Sequence, residues 1–237
     1  MYKFYQKREV LFAVSWIVLY CMVSIPIRGL LGDDSPLMMI ALLAIALGLT
    51  VFIKKHHLEE KYGLHRWPRP TARNLWFLPL AVLATGNLWG GVQLTCTGQS
   101  LFFSVLSMLL IGYTEEVIFR GLLFKGMIKE DGLTRAILVS AVTFGIGHIV
   151  NLLAGQASLA TVMQVFFAIA WGFLFTLVFY KSKSLLPCAL THGIVNCLSL
   201  FSRGSAAADW VYIAAVILAA LLYCPYLLRQ AEEGEPS

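Results

Sequence analysis

The chain has 237 residues, of which 59% are hydrophobic and only 13% charged, with a mean hydropathy of +0.76. A soluble domain of this length needs far less apolar surface for its core, so lipid is the solvent for most of the chain. The net charge of +5 does not point to nucleic acid, because the basic residues flank apolar runs, where anionic lipid and membrane topology account for them.

Apolar runs long enough to cross about 30 Å of hydrocarbon at about 1.5 Å per residue predict about eight transmembrane helices. In chain order they cover 10–27, 37–53, 75–95, 101–124, 136–153, 159–179, 185–201 and 210–228. Backbone amides in lipid must bond within their own segment, and the alternation of a lipid-facing barrel is absent, so the fold class is all-α: a polytopic membrane helical bundle. The first run follows a basic N-terminus, but residues 21–27 offer no small-residue cleavage site, so it reads as a retained helix. The one substantial hydrophilic stretch, 54–73, carries KKHHLEEKYGLHRWPRP. Pro68 and Pro70 interrupt any helix there and Trp67 suits a membrane interface, so it is expected to be a loop and not a domain. No internal repeat is present, the acidic tail 230–237 is expected to fray, and residues 1–237 form a single transmembrane domain.

Charge placement tests the count of eight. One side receives Lys3, Lys7, Arg8, Lys54, Lys55, Lys61, Arg66, Arg69, Arg73, Lys125, Lys129, Arg135, Lys181, Lys183 and Arg229, while the other receives Arg28 and Arg203. By the positive-inside rule both termini are expected to be cytoplasmic. Cys21, Cys96, Cys188, Cys197 and Cys224 lie in or beside spans without paired spacing and read as small core residues, with no disulfide framework.

Few polar residues are out of place, and they cluster. Glu115 and Glu116 are the only acids within a span, in IGYTEEVIFRG, and Arg120 is the only basic residue deep in one. A charge there costs at least about 2.5–3.5 kcal/mol and needs a partner or a purpose. On a helix Glu116 and Arg120 are i and i+4, the spacing at which a carboxylate meets a guanidinium, whereas Glu115 is rotated by about 100° and is left free for chemistry. The bland alternative is an inert buried network.

His148 closes FGIGH, where Gly145 and Gly147 let a helix or a substrate backbone approach closely. A lone intramembrane histidine is more often a packing residue, but a second one, His192 in THGIVN, shares a helix face with Asn196 at i and i+4. Both can donate hydrogen bonds to a developing oxyanion. A buried carboxylate such as Glu115 is poised as a general base, and His148 can orient and polarise water. Base, water nucleophile and oxyanion donors for amide hydrolysis are thus all present, with no serine or cysteine nucleophile required. The competing assembly is zinc held by Glu115, His148 and His192; the HExxH spacing of common zinc peptidases is absent, so metal-free catalysis without a cofactor is preferred. Counted from the cytoplasmic span ends, Glu115 lies about 9 residues deep, His192 about 7 and His148 about 12, which at about 1.5 Å per residue sets His148 deeper than its partners.

The ordered set EExxxR (Glu115, Glu116, Arg120), FxxxH (Phe144, His148) and HxxxN (His192, Asn196) resembles the CPBP family, which contains type 2 CAAX prenyl proteases and bacteriocin-processing or self-immunity proteins, also labelled Abi-like. The motif core covers 100–201. The resemblance implies an eight-helix intramembrane endopeptidase with its cavity opening toward the cytoplasm. It also implies that Glu115 and His148 activate water, that His192 and Asn196 form the oxyanion hole, and that Glu116, Arg120 and Phe144 support them. The implied partners are the lipid bilayer and a peptide or membrane-anchored protein substrate of CAAX-like, leader or bacteriocin type. The short chain favours a multi-pass protein of a bacterial plasma membrane. Two other classes compete: a polytopic transporter using the same acids and histidines as a proton relay, for which Thr85-Gly86-Asn87 and Gly90-Gly91 would mark a broken helix, and a non-catalytic membrane scaffold.

Overall fold

The computed structural model describes residues 1–68, 77–152 and 155–232. Arg69, Pro70, Arg73 and the tail beyond Glu232 lie outside the described residues. Ten α-helices follow in chain order among the described residues: α1 (Tyr2–Lys7), α2 (Glu9–Leu31), α3 (Pro36–Lys55), α4 (Leu78–Ala84), α5 (Gly98–Glu116), α6 (Lys125–Asp131), α7 (Leu133–Gly147), α8 (Ser158–Ser182), α9 (Leu186–Ser199) and α10 (Ala206–Glu232). A π-helix, Val117–Phe124, joins α5 to α6 without a break, and short 3-10 turns cover Gly86–Leu88 and His148–Leu152.

Local chemistry sets several boundaries. Ser35 caps α3, its hydroxyl accepting from the Leu37 amide at 3.2 Å, and Pro36 takes the first helical position, where its missing N–H costs nothing. Gly132, at φ +81°, alone separates α6 from α7 and turns them into an antiparallel pair. Along the shafts the usual inside-out rule is reversed: Met22, Leu30, Val51, Leu159 and Leu221 are all more than half exposed, which only lipid can accommodate.

Among the described residues, six helical segments are long and apolar enough to cross a membrane: Glu9–Leu31, Pro36–Lys55, Gly98–Asp131, Leu133–Leu152, Ser158–Ser182 and Ala206–Arg229. The two other expected spans differ. Among the described residues of 75–95, a short helical stretch made of α4 and the 3-10 turn that follows it gives way to irregular chain. At the break Gly86 abuts the Tyr212 ring and Gly91 takes φ +107°, outside the helical region. α9 has 14 residues, about 21 Å at about 1.5 Å per residue. The 54–68 loop forms no domain but is firmly docked: Lys61 bonds Glu9 at 2.6 Å and Tyr5 at 2.7 Å, and the Tyr62 hydroxyl donates to that of Tyr5 at 2.8 Å.

The packing brings α5 onto α9 and α3, α7 onto α8, and α8 onto α10. α5 and α9 approach backbone to backbone. A Cβ on Gly112 would sit 2.5 Å from the Gly193 amide nitrogen and 2.8 Å from its Cα. Backbone-to-backbone contact at small residues is how helices gain dispersion energy where lipid supplies no hydrophobic drive. Gly145 makes the corresponding contact on α8, where its Cβ would lie 2.8 Å from the Ile169 nitrogen, whereas Gly147 faces open space. Gly112→Ala is therefore expected to cost about 1–3 kcal/mol through overpacking, read as a lowered melting temperature of the detergent-purified protein; an unchanged melting temperature would contradict the contact.

Candidate active site

The EExxxR segment straddles the passage from α5 into the π-helix, all eight residues of which are buried. Wider helical turns of this kind recur where side chains must be aimed, and the Ser140 hydroxyl donates to the Phe119 carbonyl there at 3.1 Å. Arg120 is fully buried and donates to Glu116 Oε1 at 2.9 Å, as the i, i+4 spacing predicts. Its guanidinium lies 4.1 Å above the Phe144 ring and 5.5 Å from that of Phe175. A desolvated cation over an aromatic face gains about 2 kcal/mol, so the ion pair and the two rings together offset the insertion cost of the charge.

Glu116 has a second partner that its spacing does not reveal. The Nδ1–H of His192 donates to the same Oε1 at 2.9 Å, and the imidazole is stacked on Phe175 with centroids 5.5 Å apart. With Nδ1 committed, Nε2 points back toward Glu115, 3.6 Å from Oε2. The other Glu115 oxygen accepts from the Tyr20 hydroxyl of α2 at 2.7 Å. The neighbouring glutamates are thereby divided: Glu116 is held by Arg120 and His192, and Glu115 is oriented by one phenol with an oxygen turned to the cavity.

His148 stands at the end of α7, where Nδ1 lies 3.0 Å from the Phe144 carbonyl. A carbonyl only accepts, so Nδ1 carries the proton and Nε2 is left as an acceptor. Phe144 thus contacts Arg120, His148 and His192 at once, its ring edge-on to both histidines. The misfit in depth expected for His148 disappears because the α5 span continues to Asp131: Glu115 to Asp131 and Leu133 to His148 are runs of nearly equal length. α9 begins recessed, since Leu185 is fully buried and donates to the Gly63 carbonyl at 2.9 Å.

Glu115, His148, His192 and Asn196 all line one cavity of about 960 Å³. An inner recess of about 70 Å³ adjoins it, shared by both histidines and Asn196 and closed by Phe144, Trp171 and Phe175. The cavity extends past Arg28, Asp33, Ser199 and Asp209, at the end of the bundle opposite the basic termini. Arg28 is fixed there by Asp33 at 2.9 Å and by Asn151 at 3.1 Å. Two expectations consequently cannot hold together: if the basic end is cytoplasmic, the cavity does not open toward the cytoplasm.

Among the described residues no group of three His, Cys, Asp or Glu side chains is placed to hold a metal ion. The Nδ1 atoms of both histidines hydrogen-bond protein acceptors, which leaves Nε2 as the nitrogen that either a water or a metal would meet. Sequence reasoning missed Tyr20, Phe175 and Asn87. The first two read as ordinary apolar core. Asn87, in the broken segment, donates to the Val195 carbonyl beside Asn196 at 2.7 Å, and its polarity within an apolar run was the available signal. Arg120→Met, which strands Glu116 without its guanidinium, is expected to cost about 3–5 kcal/mol; a melting temperature equal to that of wild type would show the pair to be energetically idle.

No curated protein and no solved structure matches the chain. Residues 97–198 match the family model described as type II CAAX prenyl endopeptidase Rce1-like. The matched stretch contains all seven motif residues and runs from the start of α5 almost to the end of α9. On this evidence residues 97–198 carry a domain of the Rce1-like type II CAAX prenyl endopeptidase family, a protease family, consistent with an intramembrane peptidase of the CPBP type.

Proposed function

We propose that the chain is an active intramembrane endopeptidase that hydrolyses a peptide bond with water activated by Glu115 and His148, without a metal. The observation that carries this reading is the convergence of Glu115, His148, His192 and Asn196, from α5, the end of α7 and α9, on one cavity. Water is held between Glu115 Oε2 and His148 Nε2. As its oxygen bonds to the substrate carbonyl carbon, Glu115 takes the proton. The resulting oxyanion accepts from Asn196 and from Nε2–H of a protonated His192, whose charge Glu116 stabilises through Nδ1. The carbon–nitrogen bond then breaks, and the proton on Glu115 passes to the departing amine.

We further propose eight passages with both termini cytoplasmic. The short segments support this by their end contacts: the Leu185 amide at the start of α9 bonds Gly63, while the Gln93 and Thr95 amides bond the Phe201 and Leu200 carbonyls at its end, at 2.9 and 3.0 Å. These contacts support α9 running from one end of the bundle to the other, with the segment after α4 reaching the same far end. The substrate is a peptide or membrane-anchored protein of leader, bacteriocin or CAAX-like kind, by family analogy.

The test compares purified wild type, Glu115→Gln and Asn196→Ala on a fluorogenic peptide panel, with and without a strong chelator. The expected outcome is turnover that survives chelation, falls by about 10²–10⁴ in Glu115→Gln and by about 10²–10³ in Asn196→Ala. Chelator-sensitive turnover rescued by zinc would overturn the metal-free mechanism, and undiminished cleavage by Glu115→Gln would overturn the choice of base.

A further inference from the structure

Resting on the peptidase reading, we infer that the site takes its substrate from the extracytoplasmic side, so that the substrate is a peptide segment presented on the face opposite the protein's termini. Two independent observations carry this: where the cavity leads and where the charges lie.

The cavity runs from Glu115 in one direction only among the described residues. Its outer lining is the far end of α2 (Arg28), the α2–α3 turn (Asp33), the α7–α8 connection (Gln156), the end of α9 (Ser199) and the start of α10 (Asp209). In the other direction the way is filled. Glu116 and Arg120 are fully buried beneath Glu115, and every residue from Val117 to Phe124 is buried after them. Below these, Tyr62 and Leu185 close on Gly121, each with a side-chain carbon 3.8 Å from where its Cβ would be. Water and substrate have no passage through a layer packed in this way.

The charges orient the two ends. Lys54, Lys55, Lys61, Arg66, Lys125, Lys129, Arg135, Lys181, Lys183 and Arg229 sit with the N-terminal basic residues at the closed end, and the open end carries Arg28 and Arg203. The positive-inside rule assigns the closed end to the cytoplasm. Arg28, at the open end, is paired with Asp33, and the exposed Asp209 adds negative charge beside the mouth. A mouth lined by Asp33, Gln156, Ser199 and Asp209 is hydrated, as admission of water to a hydrolytic site requires.

The test labels single cysteines in intact cells with a membrane-impermeant maleimide, in a Cys96→Ser background because Cys96 lies at the open end. Asp209→Cys and Ala206→Cys report the mouth, each checked for folding by gel filtration, and Lys129→Cys reports the closed end. Labelling of either mouth variant in intact cells, with Lys129→Cys reacting only after permeabilisation, is the expected result. Mouth cysteines that stay protected until the cells are opened, while Lys129→Cys reacts from outside, would overturn the inference. A second arm supplies the peptide panel to sealed right-side-out and inside-out vesicles. Cleavage by right-side-out vesicles alone supports the inference, and cleavage by inside-out vesicles alone overturns it. Absence of cleavage in both, with the mouth labelled from outside, removes the peptidase reading and leaves the access face standing.

Discussion

The site depends on a buried hydrogen-bonded triad, Arg120–Glu116–His192, held within aromatic walls. Arg120 has no access to solvent, and its cost in the membrane is met by Glu116 on its own helix and by Phe144 and Phe175 from two others. Because Glu116 Oε1 also accepts from His192 Nδ1, one carboxylate oxygen ties α5 to α9. The same rings then rest against the imidazoles of His148 and His192. Stability and site geometry therefore share their atoms, and removing the guanidinium disturbs both.

This arrangement explains why two adjacent glutamates serve different ends. The rotation between consecutive helical residues sends Glu116 into the triad and Glu115 toward α2 and the cavity. Tyr20 then sets the orientation of Glu115 through a single hydrogen bond. Backbone contact at Gly112 and Gly193 brings α5 and α9 close enough for both glutamates to reach one imidazole. The broken segment after α4 belongs to the same design: Asn87 bonds the α9 backbone next to Asn196. A break there was the feature a transporter would need, but its contact serves the wall of the cavity.

What was legible in the sequence was whatever a periodic rule or a charge in the wrong solvent could expose. The i, i+4 pairing of Glu116 with Arg120 follows from helix geometry, and the isolation of Glu115, His148, His192 and Asn196 in apolar runs marked them before any coordinates. The long spans were equally visible. Residues 75–95 and 185–201 were apolar enough to pass as ordinary spans, because hydropathy does not register that Gly86 must admit Tyr212 or that α9 starts beneath a docked loop. Tyr20 and Phe175 stayed hidden, since an aromatic in an apolar run looks the same whether it fills space or orients a carboxylate, and Tyr62 was hidden by the hydrophilic loop around it. Which end of the bundle the cavity opens at was not legible either, because the position of a residue along one helix does not say which end is plugged by the others.

The division of labour between the two glutamates is the central claim, and paired melting and turnover measurements on Glu115→Gln and Glu116→Gln test it most directly. The account predicts that Glu115→Gln melts like wild type while losing turnover. Glu116→Gln, which strands Arg120, is predicted to melt lower by roughly 10 °C, from about 3–5 kcal/mol at about 2–4 °C per kcal/mol. Equal melting of the two variants, or a fall confined to Glu115→Gln, would contradict it.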